Sequence, residues 1–192
     1  MRFVTKCVLA VAVLVGCSQI VFAQSSKTST TANCSHSSNG QKVIWTKVSN
    51  IKKLKLPATI GQKKLPTKYS VYTVNQAQLK KVMQAAKSAN STKQIVLPAT
   101  DGNCIVFAIE NSSTMSPELA AKFPELASLK GTAVTDKNVT ARIDYDGSTL
   151  SAEVNQMSKI YFLAPWKKGK KTYYLVYNKE DAGIPKSRLE SK

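Results

Sequence analysis

Residues 139–155 read V-T-A-R-I-D-Y-D-G-S-T-L-S-A-E-V-N. Val139, Ala141, Ile143 and Tyr145 alternate with Thr140, Arg142 and Asp144, the two-residue period of a strand with one face buried. Asp146-Gly147 breaks the pattern with a turn signal. Leu150, Ala152 and Val154 then resume it against Ser151, Glu153 and Asn155. Working outward, Lys159 to Ala164 is a largely apolar third strand and Trp166 to Lys171 a basic turn. Thr172 to Tyr177 forms the last strand of this part. Consecutive strands joined by short turns make an antiparallel meander.

Upstream, Gln94–Pro98 and Cys104–Glu110 flank a turn at Ala99–Asn103 that contains Asp101-Gly102, so they predict a hairpin. Ile105, Phe107 and Ile109 share one of its faces. Tyr69–Val74 is strand-like and leads into a helix. Asn75 is its N-cap, Gln78 completes a capping box, and Val74 and Leu79 occupy staple positions. Leu79, Val82, Met83 and Ala86 supply one apolar face over Gln76–Ser88. A second, short helix lies within Thr114–Leu126. Ser116 caps it, Pro117 takes the first helical position, and Glu118 faces the positive end of the helix dipole. Pro124 ends it at Phe123. Leu119 and Phe123 are four apart and share a side, with Phe123 expected as a core anchor. The fold class expected is α+β: a single domain with an antiparallel sheet of meander and hairpins, and two helices.

Arg2 and Lys6, an apolar run from Cys7 to Gly16, and Val21-Phe22-Ala23 before Gln24 read as a secretory signal peptide over residues 1–23. The run is too short for a comfortable membrane span, and no other segment qualifies. The product is expected to be secreted or periplasmic. Leu14-Val15-Gly16-Cys17 also resembles a lipobox, whose processing would anchor the chain through a lipidated Cys17. Residues 24–43 are Ser/Thr-rich and nearly free of large apolar side chains, the composition of a disordered linker. Residues 44–182 form the expected domain and 183–192 a polar tail. Lys42–Ser70 reads as an extended entry segment whose Trp45 docks on the domain, with room for a first edge strand.

The net charge is +17, and only Arg2 and Lys6 of the basic residues leave with the signal peptide. Lysine dominates, since Arg2, Arg142 and Arg188 are the only arginines. Such a surface serves solubility more often than phosphate recognition, where bidentate arginine is favoured. Nucleic acid and other polyanions are therefore the lesser expectation. Cys34 and Cys104 survive signal cleavage. A disulfide between them is allowed in an exported protein, and two unpaired thiols are the alternative.

A metal centre needs several convergent ligands, yet the single histidine, His36, lies in the linker tract. It is equally ill placed as the base of a catalytic triad. No Gly-rich phosphate loop occurs. Glu118 with Glu125, and Asp144 with Asp146, read as surface carboxylates. The expectation is a protein with no catalytic, metal or cofactor residues.

Leu97-Pro98, Asp101-Gly102, Phe107, Glu110 and the run Met115-Ser116-Pro117-Glu118-Leu119-Ala120-Ala121-Lys122-Phe123-Pro124-Glu125 resemble the N-terminal prodomain of secreted bacterial reprolysin-like zinc metallopeptidases. Gly131, the strand around Arg142, and Tyr173–Tyr177 follow in the family's order, so the likeness covers about Ile44 to Asp181. Its most specific part is P-E-L-A-A-K-F-P. The family's zinc-binding helix is absent from the sequence, so peptidase activity does not carry over. Nor does a cysteine switch, because Cys104 lacks the surrounding motif. The resemblance implies a non-catalytic module that covers the cleft of a reprolysin-like peptidase or assists its folding in trans. Lys52, Lys53, Lys55, Lys63 and Lys64 are the candidate partner-binding residues, steering approach to an acidic surface. The alternatives are a surface or cell-envelope interaction module and a basic polyanion-binding protein.

Overall fold

In Val139–Tyr145 buried and exposed residues alternate without exception, as they do along Leu150–Val154. These strands sit in the middle of a larger sheet. The computed structural model describes residues 33–38, 41–60, 63–87, 93–112 and 116–182. In chain order its strands are β1 (Asn33–Ser38), β2 (Gln41–Lys47), β3 (Thr59–Ile60), β4 (Lys63–Lys64), β5 (Ser70–Val74), β6 (Lys93–Pro98), β7 (Cys104–Asn111), β8 (Ala127–Ala133), β9 (Val139–Tyr145), β10 (Leu150–Gln156), β11 (Lys159–Lys168) and β12 (Lys171–Asn178). The helices are α1 (Gln76–Lys87) and α2 (Pro117–Lys122).

Ten strands form one antiparallel sheet in the order β1-β2-β5-β12-β11-β10-β9-β8-β7-β6, and β3 and β4 form a separate small hairpin. The large sheet curls until its two edge strands, β1 and β6, face each other. No ladder joins them. The seam is held by a disulfide between Cys34 and Cys104, whose Cα atoms lie 5.4 Å apart, and by the Trp45 indole, which donates to the Val96 carbonyl at 2.7 Å. The outcome is a nearly closed, barrel-like β fold with two helices, more β than the expected α+β. β1 and β6 thus shield each other across the seam without sharing backbone hydrogen bonds.

The inside of the barrel is filled. Trp45, Tyr72, Phe107, Leu129, Ile143, Tyr161 and Tyr174 are among its fully buried side chains. The connections β5–α1, β7–β8, β9–β10 and β11–β12 all leave the antiparallel sheet at one end. There α1 closes the barrel with Leu79, Val82, Met83 and Ala86, the face read from its periodicity. Asn75 caps α1 by accepting from the Gln78 amide, but the Gln78 Oε1 is buried without a partner, so the capping box closes on one side only. Outside β5, β11 and β12 a second apolar layer gathers Leu54, Leu56, Leu65, Trp166 and Tyr173 around Val71 and Leu175. The lysine-rich segment between β2 and β5 is thus a cover for the outer sheet face.

Three further expectations change. The tract read as a linker over residues 24–43 contains β1 and the start of β2, so the domain begins by Asn33 rather than at 44. Its composition carries no strand signal because β1 is fixed from outside itself, by the disulfide and by pairing with β2. Trp45 does not dock from an entry segment but stands inside the barrel, on a strand between β1 and β5. The basic turn expected at Trp166–Lys171 shrinks to Gly169-Lys170, with Gly169 at φ +57°, because β11 continues through Pro165. Proline is tolerated there because the β10 ladder has already ended at Leu163. The Asp101-Gly102 turn is as read: Asp101 accepts from the Asn103 amide at 2.9 Å and Gly102 takes φ +89°. The signal-peptide, lipobox and tail readings lie outside the described residues.

Candidate functional site

α2 is built as its residues dictate. The Ser116 hydroxyl accepts from the Leu119 amide at 3.3 Å, Pro117 opens the helix, and the Phe123 amide donates to the Leu119 carbonyl at 3.0 Å. Its position is the surprise, since none of its residues is buried. Leu119 is 45% exposed and Phe123 37% exposed, with the Lys122 ammonium 5.8 Å from the Phe123 ring centroid. Phe123 is therefore not a core anchor. A four-residue spacing says that two side chains share a face, not that the face meets the core. Here α1 already fills the end of the barrel, and α2 lies outside it on the β7–β8 connection.

α2 adjoins a cleft. Its floor is the outward side of α1, with Lys80 and Lys87. The Lys87 ammonium donates to the Pro124 carbonyl just after α2. The opposite wall is the β9–β10 turn with Tyr145 and Gly147, and the β11–β12 turn with Lys167 and Lys170. The two continuous parts of the cleft measure about 430 and 290 Å³. Gly147 has φ +88°, and a Cβ there would stand 2.9 Å from the Glu125 Cβ, so only glycine lets this turn lie against the segment after α2.

Asp146 holds that turn. Its carboxylate accepts from the amides and hydroxyls of Ser148 and Thr149. Partial burial alone would raise its pKa, but these hydrogen bonds outweigh burial and pull it down from 3.8 to about 2. The sign follows. A depressed carboxylate contributes stability above its ordinary range, and that contribution fades as pH falls from about 4 to about 2. In thermal melts against pH, Asp146→Asn should be less stable than wild type at neutral pH and should lose less across that acid window.

The five candidate lysines do not join α2. Lys52, Lys53, Lys55, Lys63 and Lys64 are exposed on the outer cover, which β9 and β10 separate from the strands flanking α2. Lys63 faces Arg142, Asp144 and Glu153 across a shallow groove. Trp166 and Tyr173 stack at 5.5 Å within the outer layer, so the aromatics beside the basic turn are rooted rather than presented. Cleft lysines Lys80 and Lys87 escaped sequence reading because they occupy the polar side of an amphipathic helix. Among the described residues, no three His, Cys, Asp or Glu side chains converge as a metal centre would require. No helix there is long and apolar enough to cross a membrane. Comparison with protein families, with curated proteins and with solved structures finds no match.

Proposed function

We propose that this is an exported, non-catalytic prodomain-like protein that binds a reprolysin-like metallopeptidase in trans, restraining it or helping it fold. One observation carries the reading. The run with the most specific resemblance, Pro117 to Pro124, is a capped helix whose two large apolar side chains face solvent. A fold that needed them for its own core would bury them. Left outside on a rigid helix, they are suited to a partner surface, where a few apolar anchors dominate binding. The packed interior supports the same reading, because it leaves the outside of the barrel to do the work.

The test is peptide hydrolysis by a reprolysin-like catalytic domain from the same source, titrated with the exported protein. Slowed hydrolysis, or a higher refolding yield of that domain, is expected. A Leu119→Ala/Phe123→Ala double variant should lose at least about 10-fold in potency, as anchor residues do. Its stability should shift by less than about 1 kcal/mol, as for exposed positions. If no such peptidase responds in either assay and none is captured, a surface-interaction module takes the place of this reading.

A further inference from the structure

We infer that the cleft between α1 and the β9–β10 and β11–β12 turns receives an acidic segment of a protein partner, a stretch bearing Asp and Glu side chains laid beside α2. The inference rests on the proposed function for who the partner is, but not for its chemistry. Lys80 and Lys87 stand on the floor, seven residues and about two turns apart on one helix. Lys167 and Lys170 stand on the wall opposite. Among the described residues none of these four lysines makes an ion pair. The one ion pair among the described residues is Arg142–Asp144, on the outside of β9. Lys87 and Lys167 are oriented by uncharged acceptors, the Pro124 carbonyl and the Ser148 hydroxyl.

The nearby carboxylates do not close the cleft. Asp146 is saturated by its own turn, accepting from Ser148 and Thr149. Glu125 is the single acidic residue lining either part. A ring of lysines facing an open volume raises the local concentration of an anionic ligand. Two features select a protein over a nucleic acid. The cations are lysines, without the arginine forks that grip phosphate. The chain entering the cleft at Pro124 carries exposed Leu119 and Phe123 just before it, whereas the Trp166–Tyr173 pair that could stack on bases is held in the outer layer.

The experiment measures anisotropy of a labelled peptide of alternating Glu and Leu residues on the exported protein. Two variants of equal charge change are compared: Lys80→Glu/Lys170→Glu in the cleft and Lys52→Glu/Lys53→Glu on the outer cover. Thermal melts confirm that both are folded, and Lys80→Gln/Lys170→Gln gives a milder second test. Cleft reversal should weaken binding by at least about 10-fold, as removal of local charge complementarity does. The outer pair should change it by no more than about 3-fold through the general field. Equal losses in the two variants, or no binding by wild type, would overturn the inference. Displacement of the peptide by single-stranded DNA at equal concentration would also overturn it, in favour of polyanion binding. Peptide binding in the cleft without any effect on a peptidase would sink the trans-prodomain reading and leave the cleft assignment standing.

Discussion

Removing the Cys34–Cys104 bridge, by reduction or by a Cys34→Ser/Cys104→Ser pair, should lower the free energy of unfolding by about 4 kcal/mol, the chain-entropy value for a loop of this length. The bridge spans 70 residues and joins the first described strand to the start of β7. That position makes it more than a loop constraint. Among the described residues β1 has a ladder only with β2, and the bridge ties it across the seam. Cys34 is fully buried, while Cys104 is exposed at the end of the barrel opposite α1, so a reductant reaches the bond from that side. Denaturant unfolding with and without reductant reads the difference. The reduced protein should also unfold with a shallower denaturant slope if β1 leaves first, because less surface then remains to be exposed. A loss under about 1 kcal/mol would mean that the β1–β2 ladder suffices alone.

What could be read from the sequence was what local physics decides. β9 and β10 announce themselves because bulky and polar residues alternate over a full strand. α1 does so through Asn75 and four apolar residues at helical spacing. β1 does not, because N-C-S-H-S-S has no period and is placed by a covalent bond. β8 is weakly marked for another reason. Its inward positions include Ala127, Gly131 and Ala133, and a Cβ at Gly131 would lie 3.3 Å from the Cβ atoms of both Phe107 and Ala141. The space a strand signal would fill is taken by a neighbour's ring. Curling is invisible in the same way, since alternation separates inside from outside without saying which edges meet. The cleft is assembled from α1 and two turns that lie far apart in the chain, and only the fold brings their lysines together. α2 shows the limit most sharply. Its caps, length and end were all legible, and only its direction relative to the core was not.

Trp45→Ala should be the most damaging single substitution, costing about 3–5 kcal/mol as large-to-small core changes of aromatic residues do. The side chain is fully buried, and its ring meets Tyr174 edge-on at 5.0 Å with an interplanar angle of 85°. Tyr174 is in turn held by the Gln76 amide at 3.1 Å, at the first residue of α1. On its other side the indole N–H reaches Val96 on β6. One residue thus ties the helix that closes the barrel, through β12 and β2, to the strand at the seam. Trp45→Phe separates the two contributions. It keeps most of the ring contact but removes the donor, and the Val96 carbonyl, on a buried residue at a strand edge, is then unpaired, at about 1–3 kcal/mol. Combining Trp45→Phe with the cysteine pair should be non-additive by about 0.5–3 kcal/mol, since both changes act on one seam. The combined loss should fall short of the sum, because a seam already opened by one change leaves less for the other to release. Strict additivity in denaturant unfolding of the three variants would show instead that the disulfide and the indole close the barrel independently.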